Sequence, residues 1–153
     1  MKLEESIKMS KPFKDEFSKA FMNIIYSSSI LQQRIERVLK PFHISSQQFN
    51  ILRILKGQSP NLVSLKIISE RMIDKTSNTS RLIEKLLAKN MVERVECPKD
   101  RRKVDIKITD VGLATVNHTS QIVESQVQEL FKPITDADAV LLNTLLDKLT
   151  SDL

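Results

Sequence analysis

The chain has 153 residues, 41% hydrophobic and 28% charged, with two Gly, five Pro and one Cys. That is the size of one protomer with enough apolar content for a core, and it excludes a chain disordered throughout, a collagen-like repeat and a disulfide scaffold. No apolar run approaches the ~20 residues of a membrane span, and the start, Met1-Lys2-Leu3-Glu4-Glu5, lacks a signal peptide's apolar stretch, so the expectation is a cytoplasmic protein without a membrane partner. The net charge of +5 is unevenly spread: residues 1–74 carry +5, residues 75–109 another +5, and residues 110–153 carry −5. A basic centre and an acidic C-terminal end suggest a polyanion-facing surface on one side only, a solvated face being the plainer reading of charge alone.

From Phe13 to Leu39 apolar residues recur at helical spacing, as Phe13, Phe17, Phe21, Ile24, Ile25, Leu31, Ile35, Val38 and Leu39, until Pro41 ends the run. Ala20, Met22, Tyr26 and Ile30 widen the stripe beyond what one neighbour requires, so a second surface is expected to be buried. Ser45-Ser46-Gln47-Gln48 has the spacing of a capping box and predicts a helix from there to Gly57. The loop Gln58-Ser59-Pro60-Asn61 comes next, and Ser64 can cap a third helix with Leu65, Ile67, Ile68 and Met72 facing inward.

After a break at Ile73-Asp74, a fourth helix carries Leu82, Ile83, Leu86 and Leu87 on one side and ends at Asn90, a residue that tolerates the left-handed conformation. Its expected first half, Lys75-Thr76-Ser77-Asn78-Thr79-Ser80-Arg81, holds no large apolar residue and is poorly suited to a core. Two strands succeed it, Met91 to Glu96 and Lys103 to Ile108, the second alternating as Val104, Ile106 and Ile108. They predict a hairpin with a long basic tip, Cys97-Pro98-Lys99-Asp100-Arg101-Arg102. Thr109 can cap a fifth helix through Leu113, Val116, Ile122, Val123, Val127, Leu130 and Phe131, and Thr135 a sixth through Val140, Leu141, Leu142, Leu145, Leu146 and Leu149.

Helix, tight turn, helix, strand, basic loop, strand is the order of a winged helix-turn-helix, in a chain that is otherwise mainly α. Each part suits double-stranded DNA. Ser64, Thr76, Ser77, Asn78 and Ser80 supply short hydrogen-bonding groups that keep a backbone close to base edges, and Lys75, Arg81 and Lys85 can reach phosphates or, for arginine, guanine. A tip carrying Lys99, Asp100, Arg101, Arg102 and Lys103 can enter a minor groove.

With these parts in order, the sequence resembles the MarR family of bacterial transcription regulators over roughly residues 13 to 150. The residues that carry the likeness are Gln48-Phe49-Asn50-Ile51-Leu52, the recognition-helix run Ser80-Arg81-Leu82-Ile83-Glu84-Lys85-Leu86, and the wing pattern Asp100-Arg101-Arg102 followed by a strand and Thr109-Asp110-Val111-Gly112. The resemblance implies a single-domain protomer, 1–153, that dimerises through helices in 13–40 and 110–151 and carries a DNA-binding lobe in 45–109. It further implies a palindromic operator, with Arg102 in the minor groove and Asp100 orienting it. Asn90 stands where the family usually has Gly, and Thr79 where many relatives carry valine.

Other residues carry less. Cys97 is expected to be an unreactive small side chain, and the oxidant-sensing cysteine that some relatives carry in the first helix has no counterpart here. His43 and His118 lack a second ligand at helical spacing, so no metal is expected. Gly112 is read as a point of close packing against the hairpin. Tyr26, near the expected meeting of the dimer helices and the DNA-binding lobe, could line an effector pocket, with core packing as its plainer role. No nucleophile–base pair, metal triad or phosphate-cradling glycine loop is present, so neither an enzyme nor a cofactor is expected. RNA binding is disfavoured because residues 75–109 lack aromatic groups to stack on bases. The expectation is a ligand-responsive homodimeric repressor. The alternative is a winged-helix module that binds protein, for which DNA affinity would be weak, nearly salt-independent and indifferent to Arg102.

Overall fold

Short polar side chains set where most helices begin. The computed structural model describes residues 2–96 and 104–151. After a single turn, α1 (Leu3–Ser6), the Asp15 carboxylate accepts from the Ser18 amide at 2.7 Å and starts α2 (Glu16–Leu39), three residues later than the apolar period begins. Pro41 sits in a one-turn 3-10 helix, Lys40–Phe42, and His43 turns the chain with φ 55°. The expected capping box then forms. Ser45 Oγ accepts from the Gln48 amide at 3.2 Å, the Gln48 side chain accepts from the Ser45 amide at 3.1 Å, and α3 runs Ser46–Gln58, passing through Gly57.

Val63–Ser64 is a strand, β1, which the sequence reading missed. Ser64 caps α4 (Leu65–Arg71), α5 spans Thr79–Leu87, and β2 (Val92–Glu96) and β3 (Val104–Ile108) precede α6 (Asp110–Phe131) and α7 (Asp136–Thr150). Thr109 caps α6, and Thr135 caps α7 in a box closed by Asp138. The sheet is antiparallel in the order β1-β3-β2: β2 and β3 pair from Val92↔Ile108 to Glu96↔Val104, while β1 meets β3 at Val63↔Ile106. The expected two-stranded wing is thus rooted by a third strand.

Fifteen buried apolar residues form one cluster, drawn from α3, α4, α5 and the sheet, closed by Leu39 at the end of α2 and Val116 in α6. Of the four α4 residues expected inside, only Ile68 and Met72, one turn apart on one face, are buried; Leu65 and Ile67 are 36% and 40% exposed. Thr79 goes the other way, since it is buried within a stretch read as unsuited to a core. The apolar stripes outside this cluster are uncovered. Apart from Leu39, no residue of α2 is buried, and none of α7 is. Among the described residues no helix is long and apolar enough to cross a membrane.

Candidate nucleic-acid interface

α4 and α5 are joined by a turn that is fastened at both ends. The Ile73 amide donates to Asn50 Oδ1 of α3 at 3.0 Å, which holds the exit of α4 against the cluster. Asp74 then organises the rest of the turn. Its Oδ1 accepts from the Thr76 amide at 2.9 Å and the Thr76 hydroxyl at 2.7 Å, and its Oδ2 accepts from the Ser77 hydroxyl at 2.9 Å. The Thr76 and Ser77 hydroxyls, then the Thr76 amide, hold the Asp74 carboxyl below its ordinary value of 3.8, so it stays ionised.

Asn78 ends the turn by accepting from the Arg81 amide at 3.0 Å, the N-cap of α5. The expected helix from Lys75 therefore starts four residues later. Thr, Ser and Asn compete for their own backbone, and here that competition produces a capped turn in place of a first helical turn. Lys75 lies back over α4, its ammonium donating to the Glu70 carbonyl near that helix's C-terminus.

α5 divides cleanly. Thr79, Ile83 and Leu86 face the core, while Ser80, Arg81, Glu84, Lys85 and Ala88 follow the opposite side in one exposed band. The Glu84 carboxylate pairs with the Arg94 guanidinium of β2. Its charge is compensated without using Arg81 or Lys85, and neither of these nor Lys75 forms an ion pair among the described residues. At the far end the Lys89 ammonium donates to the His43 carbonyl, and Asn90 takes φ 55° as its type allowed.

The wing is fixed at its base. Thr109 Oγ1 donates to the Asn90 carbonyl at 2.7 Å and accepts from the Gly112 amide at 3.1 Å, while the Thr109 amide donates to the Met91 carbonyl at 3.2 Å. A methyl on Gly112 would lie 2.0 Å from the Met91 carbonyl oxygen, so the expected close packing is real. The tip residues Cys97, Lys99, Asp100, Arg101, Arg102 and Lys103 lie outside the described residues.

Of the expected site residues, Lys75, Thr76, Ser77, Asn78, Ser80, Arg81 and Lys85 thus gather along the turn and the outer band of α5. Ser64 stands apart from the turn as the N-cap of α4, accepting from the Ile67 amide at 3.3 Å, which leaves its hydroxyl proton uncommitted by that bond. Asp74 and Arg94 were missed. Asp followed two and three residues later by Thr and Ser is a legible turn pattern, whereas nothing local pairs Arg94 with Glu84.

Tyr26 belongs to α2. It lines an apolar groove of about 380 Å³ with Ile30, Leu130, Phe131, Ile134 and Leu142, to which none of the described residues of 45–109 contributes. A separate crevice between α2 and the winged lobe, about 310 Å³, is bounded by Gln32, Ile35, Gln47, Asn50, Ile73 and Asp74. His118 meets Phe42 edge-on, ring centroids 5.4 Å apart, and His43 is on another element.

Comparison with known proteins agrees with this geometry. The model of the MarR family matches residues 44–104. The HTH-type transcriptional repressor IacR of Pseudomonas putida is 26% identical over 139 residues, covering 89% of this chain and 82% of that protein. The uncharacterized HTH-type transcriptional regulator YpoP of Bacillus subtilis (strain 168) is 31% identical over 108 residues, covering 69% and 74%. In structure, a mutant MarR of Escherichia coli complexed with operator DNA aligns with a TM-score of 0.78 over 92% of this chain and 99% of that one, at 23% identity, which speaks to the fold. Family model, relatives and architecture agree, and the chain belongs to the MarR family.

Proposed function

We infer that this protein is a DNA-binding transcription regulator, and that it acts as a cytoplasmic, ligand-responsive homodimeric repressor on a palindromic operator. The observation that carries the reading is the outer band of α5, where Arg81 and Lys85, with no ion pair among the described residues, stand beside short hydroxyl and amide groups. A helix of ~10–12 Å diameter fits a major groove ~12 Å wide. Arg81 then suits a base edge or a phosphate, Lys75 and Lys85 the backbone, and the wing tip with Arg102 the flanking minor groove. The operator-bound relative and the name of IacR support DNA as partner and repression as outcome.

Dimerisation rests on area. A compact protein of 17.5 kDa exposes about 7,900 Å². This chain exposes 11429 Å², and the excess includes Phe17, Phe21, Val140, Leu141, Leu145 and Leu149, all more than half exposed. An excess of about 3,500 Å² on each protomer exceeds the roughly 1,000–2,500 Å² per partner that an obligate homodimer's interface takes. The helices in 13–40 and 110–151 are its natural members, leaving 45–109 as the reading lobe. An effector in the crevice of about 310 Å³ would touch α2 on one side and Asp74 on the other. It would change operator affinity by its differential affinity for the two lobe spacings and by no more than that.

The test is titration onto labelled DNA from the protein's own upstream region and onto a scrambled duplex, at two salt concentrations, with light scattering on the same sample. The expected result is a dimer binding the native duplex at least ~10³-fold more tightly, weakening steeply with salt, and an Arg102→Ala loss of ~1–3 kcal/mol. Weak, salt-indifferent binding, with a random-sequence selection that enriches no palindrome, would favour the protein-binding alternative.

A further inference from the structure

The turn before α5 has a fixed hydrogen-bond polarity. A hydroxyl carries one proton and two lone pairs, and an ionised carboxylate only accepts. Thr76 Oγ1 and Ser77 Oγ both lie within hydrogen-bond distance of Asp74, at 2.7 and 2.9 Å, so both protons point at that carboxylate. What each hydroxyl can still offer is lone pairs. The Asn78 side chain is oriented in the opposite sense, since its Oδ1 already accepts from the Arg81 amide while both protons of its NH2 remain for a partner.

We propose that Asp74 is a positioning residue for DNA reading: by taking both hydroxyl protons it makes Thr76 and Ser77 acceptor-only groups, which select exocyclic amino groups in the major groove. This rests on the DNA-binding reading above. The matching donors are adenine N6 and cytosine N4, whereas thymine O4, guanine O6 and every phosphate oxygen are acceptors. Serine and threonine are ordinarily tolerant because the hydroxyl rotates to suit its partner; Asp74 removes that freedom. Its own negative charge also disfavours a phosphate at this point, so the turn is directed to bases while Lys75, Arg81 and Lys85 serve the backbone and guanine.

Asp74→Asn isolates the effect. With the amide oxygen in the Oδ1 position, both Thr76 bonds persist and the NH2 faces Ser77, whose hydroxyl then accepts and turns its proton outward. Operator half-sites would be selected from random duplexes with the wild-type protein and with the Asp74→Asn, Ser77→Ala and Ser80→Ala variants. The wild type is expected to require adenine or cytosine at the position facing Ser77. Asp74→Asn should admit thymine or guanine there, with the preference reduced about five- to tenfold, the worth of one hydrogen bond. Ser77→Ala should relax the same position and Ser80→Ala a different one. Relaxation spread evenly over all positions, or none with Asp74→Asn while the wild type enriches a palindrome, would overturn the polarity argument alone. No enriched palindrome with the wild type would overturn this proposal and the DNA-binding reading together.

Discussion

The two glycines offer a paired perturbation with opposite expected signs. At Gly112, the third residue of α6, an added Cβ would lie 2.0 Å from the Met91 carbonyl oxygen, 2.8 Å from Ile108 Cγ1 and 3.0 Å from the Met91 carbonyl carbon. Relief requires the backbone at Met91 or the start of α6 to retreat by about 1 Å, since an ordinary contact begins above 3 Å. That movement strains the Thr109 amide bond to the same carbonyl and the Thr109 hydroxyl bond to Asn90. Overpacking costs about 1–3 kcal/mol and each weakened bond up to about 1 more, while the helix-propensity gain of alanine returns less than about 1. Gly112→Ala should therefore destabilise by about 2–4 kcal/mol. At Gly57, within α3, nothing lies within 4 Å of the added methyl, and Gly57→Ala should be neutral or stabilise by up to about 1 kcal/mol. Urea unfolding followed by circular dichroism, at one fixed protomer concentration because dimerisation shifts apparent stability, reads both. Equal midpoints for Gly112→Ala and the wild type would refute the close-packing argument, and a marked loss at Gly57 would refute the contrast.

Leu145→Asp should dissociate the proposed dimer: Leu145 is 56% exposed in the protomer, so each copy loses about 1–2 kcal/mol of burial, counted twice by symmetry, before the cost of burying a carboxylate. Light scattering at micromolar protein would show the halved mass, and an undiminished dimer would remove α7 from the interface. Asn90, at φ 55°, predicts that Asn90→Ala costs about 1–2 kcal/mol while Asn90→Gly is neutral or slightly stabilising; equal melts for the two would refute a backbone cause. Asp74, held below 3.8 by its hydroxyl and amide donors, contributes fully above that value and loses its contribution only as pH falls through the lower folded value. Its carboxyl resonance should titrate below 3.8 and base preference should be the same at pH 6 and pH 8; a midpoint at or above 3.8 would contradict the donor assignment.

The sequence made plain those features whose cause is local. Ser45, Thr109 and Thr135 announce their helices because a cap needs only a hydroxyl and an amide three residues on, and Asn90 and Gly112 declared their roles by what their side chains permit. Part of what it hid depends on partners far along the chain. β1 is two residues long, too short to show alternation, and exists because Val63 and Ser64 meet Ile106 and Asp105. Lys75 to Asn78 read as a helical first turn because small polar residues are compatible with either state, and only Asp74 and the Asn78 cap decide it. Leu65 and Ile67 carry the apolar signal of a core face, yet a helix of seven residues turns only one narrow side to the cluster.

The same long-range contacts constrain how the proposed regulator would respond to a ligand. Thr109 and Gly112 bind the base of the hairpin to α6, the Glu36 carboxylate of α2 accepts from the Ser46 amide of α3 at 2.8 Å, and Lys89 ties the end of α5 to the chain just after α2. Recognition turn, α5 and the wing base are thus parts of one packed body with the ends of α2 and α6. A close-packed body of this kind resists graded distortion, so an effector gains little by bending the reading surface itself. The compliant parts are the lengths of α2 and α7 whose apolar side chains stay largely exposed among the described residues, Phe17 and Phe21 on α2 and Val140, Leu141, Leu145 and Leu149 on α7. Regulation is therefore expected as a change in the separation and tilt of two intact lobes about the dimer helices, which alters half-site spacing and leaves the base preference of each half-site unchanged.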